Sequence, residues 1–230
     1  MSNTINVYWA CLEKEWLRAE EPVSVLSKFV KENTDIKNSV DVCPAFRLEH
    51  QNIFGLKSLY SYEFSVDNDT VTSKMYDQEF YNWHVGVRNI KRKFFTFSQE
   101  FIFFTDSPSL EITGCIFPYL ENNDITDRCT IVPGRFDIGK WYRPLEFAFF
   151  LKSQYNEFKI NQDDVYQYIK FHTDKKINFI QFKENESLKT YLKDTMNIRA
   201  NKKNIFSLDF YYKKFNLKKL ILKEIKDNIL

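Results

Sequence analysis

The chain has 230 residues, 43% of them apolar, enough for one large domain or two small ones around a real core. Its formal charge of +2 creates no whole-molecule field that selects nucleic acid or an acidic surface. Four cysteines stand at 11, 43, 115 and 129 with no C-x-x-C pair, which argues against a zinc knuckle, and no apolar run reaches the ~18 residues that cross a bilayer. The N-terminus lacks a basic and then apolar signal segment, so the cysteines are expected as reduced thiols in a cytosolic protein. Aromatic residues make up 17%, with 23 Phe and 13 Tyr, and favour pleated, half-buried surfaces. Glycine is scarce at 5 residues, which leaves the turns to Asn, Asp and Ser.

In chain order, Ile5 to Trp9 reads as a short strand. Val25, Leu26, Phe29 and Val30 then repeat at helical spacing, with Pro22 suited to a first helical turn. Residues 33–39 form a polar linker. From Val40 the period becomes two. Ile53 to Val66 is expected as a strand, and Asp67-Asn68-Asp69 turns it into a hairpin with Thr70 to Thr72. Met75 to Arg88 fits either a helical turn or a covering loop. Lys93 to Thr105 reads as one strand, Leu110 to Phe117 as the next, and Glu121 to Arg128 as a loop. Cys129 to Val132 and Leu145 to Lys152 read as strands on either side of a Pro- and Gly-bearing segment. Phe158 to Ile160 and Val165 to His172 read as a hairpin, and Ile177 to Phe182 as the last strand. Several short strands separated by turns mark a sandwich or barrel rather than a βαβ sheet.

After Lys183 the period returns to that of a helix. Ser187 to Asn197 is one expected helix. A second, capped by Ser207, aligns Tyr211, Phe215, Leu222, Ile225 and Ile229 on one side. Lys183 to Leu230 carries 12 Lys and Arg against 6 Asp and Glu, a local +6. Such a tail fits the solvated face of surface helices, and it also fits nucleic acid or an acidic partner.

The segment Pro133 to Pro144, PGRFDIGKWYRP, holds two of the five glycines and two of the six prolines. It is expected as an ordered loop between strands. Arg135, Asp137, Lys140 and Arg143 can bind an anion, because arginine offers a planar fork to carboxylate or phosphate. Trp141 and Tyr142 can stack on a ring. The alternative is structural, with Arg135 and Asp137 paired with each other or tying the loop down. A second pattern is His172-Thr173-Asp174, whose i, i+2 spacing can chelate a metal from one side of a strand, with His84 or His50 as third ligand. Iron oxygenases place the second histidine after the H-x-D pair, and no histidine follows position 174 here. The same tripeptide fits a plain turn. No nucleophile elbow and no glycine-rich phosphate loop is present. Cys43-Pro44 fits a nucleophile or, better, a small buried thiol, and the phenylalanines from 94 to 104 fit a stacking platform for single strands or, better, an aromatic core.

The blocks VYWAC, VCPAF at 42–46, FFTFSQEFIFFTD at 94–106, PGRFDIGKWYRPLEFAF at 133–149 and YIKFHTD at 168–174 resemble an uncharacterised family of hypothetical proteins from marine T4-like phages, including cyanophages, and marine metagenomes. The resemblance spans about residues 5 to 182. It implies a phage origin and a place in the host cytoplasm, with or without attachment to a virion. It implies no catalytic residue. The segment NQDDVYQYIKF also resembles a strand–turn–strand of cupin-type double-stranded β-helices, with Gln162 where a glycine is usual and the metal histidines missing.

The expected fold is therefore mainly β, an antiparallel β-sandwich or cupin-like jelly roll over residues 40–182. A strand and helical segment at 1–39 packs on it, and a basic helical extension follows at 183–230. The expected function is non-enzymatic binding of a host partner or a small anionic ligand through residues 133–144, with no cofactor. The alternatives are a metal-dependent oxygenase-like enzyme using His172 and Asp174, and nucleic-acid binding through the C-terminal helices.

Overall fold

The computed structural model describes residues 3–12, 19–27, 43–67, 70–73, 75, 77–99, 101–115, 124–201 and 208–230. Its strands, in chain order, begin with β1 (Thr4–Cys11), β2 (Val23–Ser24), β3 (Ile53–Lys57), β4 (Tyr62–Asp67) and β5 (Thr70–Ser73). Next come β6 (Val85–Asn89), β7 (Phe94–Phe97), β8 (Phe101–Phe104), β9 (Glu111–Cys115) and β10 (Cys129–Val132). The last five are β11 (Arg135–Asp137), β12 (Phe147–Leu151), β13 (Glu157–Ile160), β14 (Val165–Phe171) and β15 (Lys176–Gln181). Three short helices, α1 (Pro44–His50), α2 (Gln78–His84) and α3 (Asp124–Arg128), lie among them, and α4 (Glu186–Asn201), α5 (Leu208–Lys214) and α6 (Leu217–Asp227) follow.

Alternation decides what each strand faces. Along β1, Val7, Trp9 and Cys11 enter one core while Tyr8 and Ala10 enter another. Its neighbour β8 divides in the same way, Phe101 and Phe103 to the first core, Ile102 and Phe104 to the second. The strands form sheets in the orders β15-β1-β8, β10-β12-β7-β6, β11-β9-β14-β3-β2 and β13-β4-β5. Among the described residues every pairing is antiparallel except β1 with β15, which is parallel.

Aromatic rings join the sheets across the first core. Tyr62 meets Phe97 edge-on at 4.8 Å, Phe97 meets Tyr166 at 5.3 Å, and Phe103 meets Phe171 at 6.1 Å. The mainly β, antiparallel architecture flanked by helices is the one expected from the sequence.

Several boundaries differ from expectation, each for a visible reason. Residues 93–105 form two strands in two sheets, because the chain breaks at Ser98 and Gln99. Ser98 Oγ donates to the Leu145 carbonyl at 2.8 Å. The buried Gln99 carboxamide accepts from Leu59 N at 3.0 Å and donates to Ser58 Oγ at 2.6 Å. The same bonds break residues 53–66 into β3 and β4. No hairpin joins β13 to β14: β13 pairs with β4, while β14 lies between β9 and β3. The reversal at Asn161–Asp164, with Asp163 at φ 67°, passes the chain from one sheet to another. Residues 124–128 are helix α3 rather than loop. Strand β1 lies at the centre of its sheet, between β15 and β8. Residues 28–42 and Ser207 lie outside the described residues.

The C-terminal helices cover the outer face of β1 and β8. Leu188, Tyr212, Leu217, Ile221 and Ile225 pack on Tyr8, Ala10, Ile102 and Phe104. Each fully buried Leu or Ile contributes about 1.5–3 kcal/mol relative to exposure. The expected single stripe is broken: Asn216 at φ 51° separates α5 from α6, and Phe215 is left half exposed.

Candidate functional site

The segment 133–144 straddles two environments. Its first part forms β11, paired with β9 so that Phe136 lies opposite Ile112 and Arg135 opposite Thr113. Its second part runs under the C-terminal helices. Ile138 and Tyr142 are fully buried, Tyr142 N donates to Tyr212 Oη at 2.8 Å, and Thr195 Oγ1 donates to the Tyr142 carbonyl at 3.3 Å. Tyr142 therefore belongs to the core and is not available to stack on a ligand. Burial, then Glu184 and Tyr212, raise its phenol well above the ordinary value.

Asp137 and Lys140 lock the turn rather than bind. Asp137 Oδ1 accepts from Gly139 N at 2.8 Å, and Lys140 Nζ lies 3.4 Å from Asp137 Oδ2. Arg135 donates to the Glu111 carboxylate through Nε at 2.8 Å and through Nη2, so Arg135 and Asp137 do not pair with each other.

The remaining members, with Arg135, border a cavity of about 270 Å³. Its floor is the face of β9 and β14 that carries Ile112, Gly114, Gln167 and Ile169. Its wall runs from the end of β10 through Pro133 and Gly134 to the start of β12. At the rim, Phe136 and Trp141 stack with centroids 5.8 Å apart and planes at 18°. The Arg143 guanidinium lies 5.8 Å from the Phe136 centroid, which extends the stack with a cation. Glu146 holds Arg88 at 3.0 Å through one oxygen and stands 3.8 Å from Arg143 through the other.

Gln167 was not singled out in the sequence. It is 5% exposed, and its Oε1 has no hydrogen-bond partner. It lies over Gly114, where an added Cβ would come 2.9 Å from Nε2. A glutamine inside a strand of aromatics gives no sequence signal that it borders a cavity. Its place over Gly114 and beside the cavity comes from the folded chain alone.

The histidines do not converge. His172 Nε2 lies 2.7 Å from Thr113 Oγ1, and its pKa is lowered by burial first, then by Arg135 and Lys170. His84 Nδ1 lies 3.0 Å from the Ser98 carbonyl and its ring packs 4.6 Å from Phe80. His50 Nδ1 lies 2.8 Å from the Phe46 carbonyl. Asn52 Nδ2 donates to the carbonyls of Thr173 at 2.7 Å and Lys175 at 2.9 Å, clamping the segment around Asp174 as a turn. Among the described residues no group of three or more His, Cys, Asp and Glu could hold a metal ion. Cys129 is buried, and burial raises its thiol far above the usual range, which makes it inert. Cys43, expected buried, is exposed.

Among the described residues no helix is long and apolar enough to cross a membrane. Comparison of the chain with protein-family models, with curated proteins and with solved structures returned no match, so the site is argued from its own geometry.

Proposed function

We propose that the protein is a binding module for a small organic anion, seated in the cavity between the β9–β14 face and residues 131–148. The observation that carries this is the continuous Trp141–Phe136–Arg143 stack at the rim of a concave, largely apolar site. Among the described residues, two arginines and one glutamate are the charged side chains that line it. A flat ring lies against the aromatic pair, and a carboxylate or phosphate takes donors from Arg143. Arg143 already donates through Nε to the Pro144 carbonyl at 3.3 Å and stands 3.8 Å from Glu146, and a bound anion would share its planar fork with them.

Benzoate is the simplest probe, a ring with one carboxylate. Titrated calorimetrically into the full chain, it should bind saturably. Arg143→Met keeps the aliphatic stem over Phe136 and should weaken benzoate by about tenfold or more, since a hydrogen bond to a charged group contributes about 1.5–3 kcal/mol. The thermal midpoint should change little. Absence of saturable binding, or equal binding by Arg143→Met, would contradict the assignment.

A further inference from the structure

We infer that the ligand's ring carries a lactam edge, –CO–NH–, which pairs with the Gln167 carboxamide on the cavity floor. This rests on the anion-binding function proposed above and specifies what else the ligand must present.

Three observations on the floor lead to it. Gln167 borders the cavity while being 5% exposed, so its carboxamide is shielded from bulk water. Its Oε1 has no hydrogen-bond partner. Buried side-chain polar atoms are almost always paired, and an orphan acceptor calls for an explanation. The diagonal neighbour on β9 is Gly114, whose register partner is Ile169. A side chain at Gly114 would press on Nε2 at 2.9 Å, so β9 leaves open the space in which the amide sits.

The surroundings narrow the chemistry. Ile112 and Ile169 share the cavity floor with the amide and offer no hydrogen bond from their side chains. A carboxamide presents one acceptor and a pair of donors side by side. The group that satisfies both at once is a cis-lactam edge, N–H to Oε1 and C=O to Nε2, as glutamine pairs with the edge of a base. The amide turns about its terminal torsion, which is broad and soft, to bring both atoms to the ligand.

Size limits the ring. The cavity of about 270 Å³ falls below the roughly 300–1,000 Å³ of pockets for drug-sized ligands. One ring with one anionic substituent is the class that fits, as in a pyrimidinedione carboxylic acid.

The test compares two probes on the full chain by calorimetric titration. Orotate has a ring, a carboxylate and a lactam; benzoate has the first two only. Orotate should bind about tenfold tighter, the ratio that corresponds to about 1.4 kcal/mol. Gln167→Met, close in shape and without the amide, should abolish the preference and bring the two probes to the same affinity. In the unsubstituted protein, the side-chain amide resonances of Gln167 should shift with orotate and not with benzoate. This readout holds even if the variant folds poorly.

Equal affinity for the two probes, or amide resonances indifferent to orotate, overturns the lactam pairing and leaves anion binding intact. Failure of both probes to bind at millimolar concentration overturns both.

Discussion

At the residue scale, Gln167 and Gly114 are where fold and proposed function meet. Gln167→Met removes an orphan acceptor from the interior. It should raise stability by about 1 kcal/mol, since a buried unsatisfied group costs about 1–3 kcal/mol. Chemical denaturation measures this, and a loss of stability would mean that the amide supports the fold. Gly114→Ala meets only the end of a flexible side chain, so the fold should tolerate it while the displaced amide fills the floor and probe binding is lost. His172 makes a pH prediction. Its folded pKa lies below the ordinary histidine value of about 6.5, so the unfolded chain takes up the proton first. Its contribution is complete above that value and is lost as pH falls through the folded pKa. Denaturation midpoints measured from pH 7.5 down to about 5 should fall less steeply for His172→Gln than for the unsubstituted protein. Parallel curves would exclude His172 as the source.

At the element scale, alternation made the strands legible and long-range polar contacts hid their breaks. Tyr62 and Phe64 enter the core as their spacing implies. Ser58 and Gln99 look like ordinary strand residues until the fold brings them within 2.6 Å across 41 positions. The reversal at residues 161–164 was legible as a turn, while its partners were not, because a turn does not say which sheet receives the next strand. Asn216 is another such case: its left-handed backbone divides a helix that the stripe of apolar residues made continuous. The loop 133–144 was legible as an ordered corner. Its division into a cavity rim and a buried half was not, since the helices that cover Tyr142 are distant in sequence. Gly139 lies on that seam. A Cβ there would approach the Ser107 backbone carbonyl at 2.8 Å and Lys218 Nζ at 3.0 Å, and the carbonyl belongs to the main chain and cannot swing aside. Gly139→Ala should therefore loosen α6 from the sheet, seen as faster amide exchange at Ile221 and Ile225. Unchanged exchange would contradict this packing.

At the scale of the whole molecule, the C-terminal extension is a structural layer. Its lysines are partly committed to the fold: Lys218 Nζ donates to the Ser107 carbonyl at 2.8 Å, and Lys226 lies 3.4 Å from Asp106. Desolvation lowers the Lys218 pKa, as expected of an ammonium drawn into the seam. Removing residues 183–230 would bare Tyr8, Ala10, Ile102 and Phe104. Such a truncated chain should aggregate or bind hydrophobic dyes; a soluble, cooperatively folding product would show that the sheets stand without the helices. The two layers divide the labour, with the helices sealing one side of β1 and β8 and the corner at 133–144 presenting its other half to the cavity.

The claim on which the account turns is that this cavity takes a ringed anion against Trp141. Its most direct test is a titration of isotope-labelled protein with benzoate, followed through the tryptophan indole resonances. The Trp141 signal should move and saturate, while Trp9, buried in the core, and Trp83, exposed at 70%, stay where they are. A still Trp141 signal, or movement at Trp83 instead, would contradict it.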